Sequence, residues 1–122
     1  MIFDSHAHYD DKAFNEDRES VIRDIQENGV IGVLNCGSDL GGLKTSVDLS
    51  NRYEFMYAAI GIHPSYADIV NEELIEEFKE ISKNSKVKAI GEIGLDYFRK
   101  FQCFKGFCVH VNLAIFHNNY FL

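Results

Sequence analysis

Tryptophan is absent from this chain of 122 residues, proline occurs once, and the three cysteines show no CxxC spacing. An odd, unpaired set of thiols fits neither a disulfide framework nor a zinc finger, so a reducing, cytoplasmic compartment is expected. The opening residues Met1-Ile2-Phe3-Asp4-Ser5-His6 lack a basic region followed by an apolar stretch. No signal peptide is expected, and no membrane partner, since no apolar run approaches the roughly 20 residues of a membrane span. Positive charge is scarce: 12 Lys and Arg stand against 19 Asp and Glu, a net charge of -7. That balance excludes a protein that grips nucleic acid by a basic surface alone, and any phosphate substrate needs another source of positive charge. Neither GxGxxG nor a P-loop occurs, and there is no GxSxG nucleophile elbow. Length excludes a complete eight-stranded α/β barrel, which takes about 250 residues; one small domain or half a barrel fits.

Against these absences stands a composition that is 46% hydrophobic and 25% charged, that of a globular protein able to bury a core. Short apolar runs alternate with amphipathic stretches. Ile2-Phe3 leads toward His6, Val30 to Leu34 into Asn35, Phe55 to Ile60 into Gly61-Ile62-His63, and Val87 to Ile90 into Gly91-Glu92. Between the first two, Val21, Ile22 and Ile25 have helical spacing, and Asn28-Gly29 can end that helix in a left-handed turn. Leu43, Val47 and Leu49 mark a weaker second helix. Asn71 can cap a third, with Glu72 and Glu73 at its positive end and Leu74, Ile75, Phe78 and Ile81 on one face. This alternation predicts an α/β fold of parallel strands joined by crossover helices, with chemistry just past the strand ends.

All 19 acidic residues lie before Phe101, and Lys105 is the sole basic residue after it. Residues 1–100 therefore form one unit and residues 101–122 an atypical hydrophobic tail, for which truncation or a shifted reading frame is the expectation. Within it Phe107, Val109, Val111, Leu113 and Ile115 alternate, a pattern for a strand able to pair with an exposed sheet edge.

Four side chains stand out as carriers of chemistry. In extended backbone positions i and i+2 share a side, so His6 and His8 can present two imidazoles to one cation, with Asp4 nearby to support them. The alternative is a pair of hydrogen-bonding histidines; placement at the end of an apolar strand favours ligands. Glu92 ends the fourth apolar run between Gly91 and Gly94, and its two oxygens can bridge two cations. A solvated or salt-bridged carboxylate is the alternative. His63 precedes Pro64, which holds it extended and lets its ring donate to a phosphate oxygen, shuttle a proton, or simply bond a loop carbonyl. Cys36 reads as a small buried packing residue, and Cys103 and Cys108 have no evident catalytic partner.

Ile2-Phe3-Asp4-Ser5-His6-Ala7-His8, Gly61-Ile62-His63-Pro64 and Gly91-Glu92-Ile93-Gly94-Leu95-Asp96-Tyr97 resemble, in order and spacing, three motifs of the TatD family of metal-dependent deoxyribonucleases. The resemblance covers residues 1 to about 100. It implies the first half of a TIM-type metal-dependent hydrolase barrel that cleaves phosphodiester bonds in DNA by a two-metal mechanism with divalent ions (Mg, Mn or Zn). It also implies that His6 and His8 hold one ion, that Glu92 bridges it to a second, and that His63 lies by the substrate phosphate. Two further histidines and an aspartate complete the family's centre from its second half, beyond this sequence, so no catalytic residue is assigned here. His110 and His117 lie in surroundings unlike the family's ligand segments. Poor activity is therefore expected of this chain. A non-enzymatic metal-binding fragment, alone or paired with another chain, is the competing expectation, and another metal-dependent amidohydrolase-like enzyme the third.

Overall fold

The computed structural model describes residues 1–93 and the backbone of residues 114–115. Its elements alternate: β1 (Ile2–Ala7), α1 (Arg18–Glu27), β2 (Val30–Cys36), α2 (Leu40–Arg52), β3 (Met56–Ile60), α3 (Glu72–Ile81) and β4 (Val87–Ile90). Strands β1 to β4 are parallel and lie in sequence order, as in part of a TIM-type barrel. A two-residue strand, β5 (Ala114–Ile115), adds antiparallel to β4. The rest of the alternating tail lies outside the described residues, as do Gly94 to Tyr97, Cys103, Cys108, His110 and His117.

Local chemistry sets the helix boundaries. Asp39 caps α2 by accepting from the Gly42 N–H at 2.8 Å, and Asn71 caps α3 by accepting from Leu74 at 2.8 Å. At the end of α1, Gly29 turns with φ of +93°, a conformation that costs a side chain about 1–2 kcal/mol. Its carbonyl then receives the Ile2 N–H at 3.0 Å, tying the start of β1 to the turn that feeds β2. Two 3-10 segments escape the periodicity, Lys12–Phe14 and Pro64–Ile69, because each is set by a cap residue, Asp11 or His63, rather than by an apolar face.

The two faces of the sheet differ. On one, Ile22 of α1 and Leu49 of α2 bury against Ala7, Val33 and Met56, while Leu43 packs with Ala58, Ile60, Val87 and the α3 residues Phe78 and Ile81. The other face carries Leu34, Cys36, Ala59 and Ala89 with Tyr57, and no helix joins that cluster. Helices on one face and apolar side chains without a helix on the other, among the described residues, are the layout of a barrel wall. Because Ala7 faces the helices, period-two alternation turns His6 and His8 to the opposite side. No helix among the described residues is long and apolar enough to cross a membrane.

Cys36 is buried in this second face, and burial, with Glu92, Asp10 and Asp4 adding negative charge, pushes its thiol up to about 11. At pH 8 roughly a thousandth of such a thiol is ionised. The unfolded chain releases this proton near 9.0, so its contribution to stability declines as pH rises past that value. In a Cys103→Ser/Cys108→Ser chain without metal, a thiol-titrating disulfide should find no reactive thiol at pH 8 and one equivalent in urea. Rapid release of one equivalent from the native protein would show Cys36 to be accessible.

Candidate metal centre

The C-terminal ends of β1 and β4 bring three predicted side chains together. His6 Nε2 lies 3.1 Å from His8 Nε2 and 2.9 Å from Glu92 Oε1, and His8 Nε2 lies 3.7 Å from that same oxygen. Ligands bound at about 2.0–2.1 Å to one ion stand roughly 2.9–3.4 Å apart at octahedral or tetrahedral angles; the two distances from His6 fall in that range, and the 3.7 Å between His8 and Glu92 is a few tenths of an ångström wider. Among the described residues this is the one cluster of three such donors. The side chains of His6 and His8 are 53% and 40% exposed and that of Glu92 24%, which leaves room for further ligands and for substrate.

Several contacts hold this geometry. The Asp4 carboxylate accepts from the backbone N–H of His6 at 3.1 Å, so Asp4 supports the histidine through its backbone and not through the ring. The peptide joining His8 to Tyr9 is bonded at both ends: the His8 carbonyl accepts from Asp11 N–H at 3.0 Å, and the Tyr9 N–H donates to Asn35 Oδ1 at 2.6 Å. Arg18 gathers the loop that follows, donating to the carbonyls of Tyr9 at 2.6 Å, Asp11 at 2.9 Å and Asp10 at 3.3 Å. Across the site, Gly61 lies flat against the Gly91–Glu92 backbone; a Cβ there would stand 2.5 Å from the Glu92 carbonyl oxygen and 2.6 Å from the Gly91 carbonyl carbon.

His63 does not join the three donors. Its Nδ1 accepts from the Ser65 N–H at 3.1 Å and so caps the turn that Pro64 begins, while its own N–H donates to the Ser38 carbonyl at 3.0 Å. A neutral imidazole that accepts at Nδ1 carries its proton on Nε2, so His63 is a donor toward the space it lines. That space is an open cleft of about 290 Å³ bounded by His8, Asp11, Ser38, His63, Ser65, Tyr66 and Glu92. Among the described residues two carboxylates and no Lys or Arg line it, a negative lining suited to a divalent cation and unsuited to a bare phosphate.

Sequence reasoning missed the role of Asn35, of Arg18 and of the cleft residues Asp11, Ser38, Ser65 and Tyr66. For Asn35 a signal existed, an amide inside the apolar run Val33-Leu34-Asn35-Cys36. Burial raises the Asp10 carboxyl above its ordinary value, opposed by its hydrogen bond from Asn35.

Comparison with known proteins bears on this arrangement. The family model described as TatD related DNase matches residues 3–119. The chain is 39% identical over 97 residues to the uncharacterized metal-dependent hydrolase YabD of Bacillus subtilis, covering 80% of this chain and 38% of that protein. It is 30% identical over 100 residues to the 3'-5' ssDNA/RNA exonuclease TatD of Cronobacter sakazakii, covering 82% of this chain and 38% of that protein. The crystal structure of YjjV, a TatD homologue from Escherichia coli K12, superposes with a TM-score of 0.70 at 28% identity, over 81% of this chain and 39% of that one. The chain thus spans about two fifths of the length of these relatives.

Gly61→Ala should drive the Glu92 backbone away from the histidines. A fall of about 1–3 kcal/mol in urea stability is expected from the forced overlap, together with weaker zinc uptake by the folded variant in calorimetry. Unchanged stability and uptake would mean that the two strand ends separate freely.

Proposed function

The chain belongs to the TatD-related DNase family of metal-dependent hydrolases, and from that premise we propose that it supplies the first half of a site that hydrolyses phosphodiester bonds in DNA. The observation that carries this reading is the convergence of His6, His8 and Glu92 at the ends of two strands 80-odd residues apart in sequence. Relatives named as 3'-5' ssDNA/RNA exonucleases support a single-stranded nucleic acid as the substrate class.

In this reading His6, His8 and Glu92 would hold the divalent metal, the imidazoles through Nε2 and Glu92 through its carboxylate. Bound divalent ions supply Lewis acidity toward phosphoryl oxygens and a hydroxide nucleophile near neutral pH. They also add about four positive charges and so reverse the field of an acidic cleft, which reconciles a net charge of -7 with a polyanionic substrate. His63, with its proton on Nε2, donates to a non-bridging phosphate oxygen and orients the ester. Three donors cannot stabilise both the attacking and the leaving oxygen, so this reading requires further ligands besides His6, His8 and Glu92. Mg, Mn and Zn all suit such a donor set, and three cysteines without CxxC spacing favour a reducing setting, the cytoplasm.

A second reading, a metal-binding unit without catalysis of its own, is favoured by the two-fifths coverage of the relatives. Calorimetry and a nuclease assay together separate the two. Zinc uptake should be measurable and should fall at least tenfold in His6→Ala and in Glu92→Ala. The chain alone should leave a single-stranded oligonucleotide essentially uncut, and mixing with the remaining segment of a relative should restore cleavage that Glu92→Ala abolishes. Zinc uptake with no restored cleavage would favour the non-catalytic reading, whereas uptake indifferent to both substitutions would remove the ligand assignment.

A further inference from the structure

Asn35 has no exposed surface, yet it lies in a strand whose neighbouring positions are filled by Val33, Leu34 and Cys36. Burying an amide is unfavourable unless every polar atom finds a partner. Here all of them do, and two of the three partners lie in one place. Oδ1 accepts the Tyr9 N–H at 2.6 Å; Nδ2 donates to Asp10 Oδ1 at 2.6 Å and to Ser46 Oγ at 2.7 Å, and Ser46 in turn donates to the Gly42 carbonyl at 2.8 Å. Register puts Asn35 beside Ala7, the residue between the two histidines.

We propose that Asn35 is the positioning residue of the centre, setting the direction of the His8 ring through the peptide that joins His8 to Tyr9. The inference rests on the reading of His6, His8 and Glu92 as ion ligands and goes beyond it, because Asn35 touches none of the three. The Tyr9 N–H belongs to the same rigid plane as the His8 carbonyl. Bonded at one end to Asn35 and at the other to Asp11 N–H, that plane fixes ψ of His8 and with it the direction from which its ring leaves the backbone. The Asp10 contact holds the next residue as well, and the Ser46 contact anchors the amide to α2, so the ligand loop is referred to the most deeply buried helix and not to solvent.

Three charge-neutral variants test this, each in a Cys103→Ser/Cys108→Ser background so that thiolates do not take the metal. Asn35→Leu removes the amide; the exchange Asn35→Asp with Asp10→Asn keeps a hydrogen bond between the two positions; Ser46→Ala removes the anchor alone. Since none alters net charge, a loss of zinc affinity does not come from a charge added to or removed from the protein. Zinc alone is titrated by calorimetry at 10 °C, below the unfolding transition of each variant as followed by circular dichroism. A role confined to stability would lower that transition and leave the affinity of the folded protein unchanged. The expected pattern is a loss of tenfold or more for Asn35→Leu, affinity within about threefold of the parent for the exchange, and an intermediate loss for Ser46→Ala. Parent-like affinity in a folded Asn35→Leu overturns the inference; if that variant does not fold, parent-like affinity in Ser46→Ala overturns it. A parent that takes up no zinc overturns the ligand reading itself, and is recognised because the result precedes any substitution.

Discussion

One buried amide constrains much of what surrounds it. Asn35 cannot sit in the interior unless Tyr9, Asp10 and Ser46 come to it, two from the loop after β1 and one from α2. Tyr9 and Asp10 must fold back over the end of β2, Ser46 must present its hydroxyl from α2, and Arg18 must collect the carbonyls that the turn exposes. With those bonds satisfied, no buried side-chain polar atom among the described residues is left without a partner. The ends of β1 and β2 are thereby locked at a common level, and a parallel sheet with level ends is what allows side chains from separate strands to meet.

Charge follows the same geography. Asp4, Asp10 and Glu92 together act on the Cys36 thiol and Asp11 lines the cleft with Glu92, while Arg18 of α1 directs Nε and one Nη to backbone carbonyls and to Asn15. Elsewhere opposite charges pair locally, as where Arg52 meets Asp48 at 3.3 Å and also joins Glu19 and Tyr53 across two helices. Exposed pairs of this kind add little stability. At the site, by contrast, Asp4, Asp10 and Asp11 have no Lys or Arg ion pair among the described residues.

Much of this was legible in the residues. Strand and helix order followed from apolar periodicity, the Gly29 turn from Asn28-Gly29, the α3 cap from Asn71, and the approach of His6 to His8 from the alternation of a strand. Convergence of Glu92 on that pair came from family resemblance, since no local pattern can bring residues 6 and 92 together. The cleft was less legible because its walls are cap and loop residues, chosen for hydrogen bonding and not for periodicity. His63 is the instructive case: proline fixed its backbone, but the bond from Ser65 N–H that leaves its proton on Nε2 is a property of the folded turn. Asn35 was visible as an oddity, and its partners, 25 or 26 residues away in Tyr9 and Asp10, were not.

Strand order in this sheet equals sequence order from β1 to β4, and each join is made to the strand before it. The ends are linked in the same sequence, Tyr9 to Asn35, His63 to Ser38, and Gly61 to the Gly91–Glu92 backbone. A chain leaving the ribosome can therefore add each strand to one already present, without holding an edge open for a distant partner. Both imidazoles are translated early, and the carboxylate that faces them follows three strands later. The spatial order of the three donors' strands thus repeats the order in which they are translated.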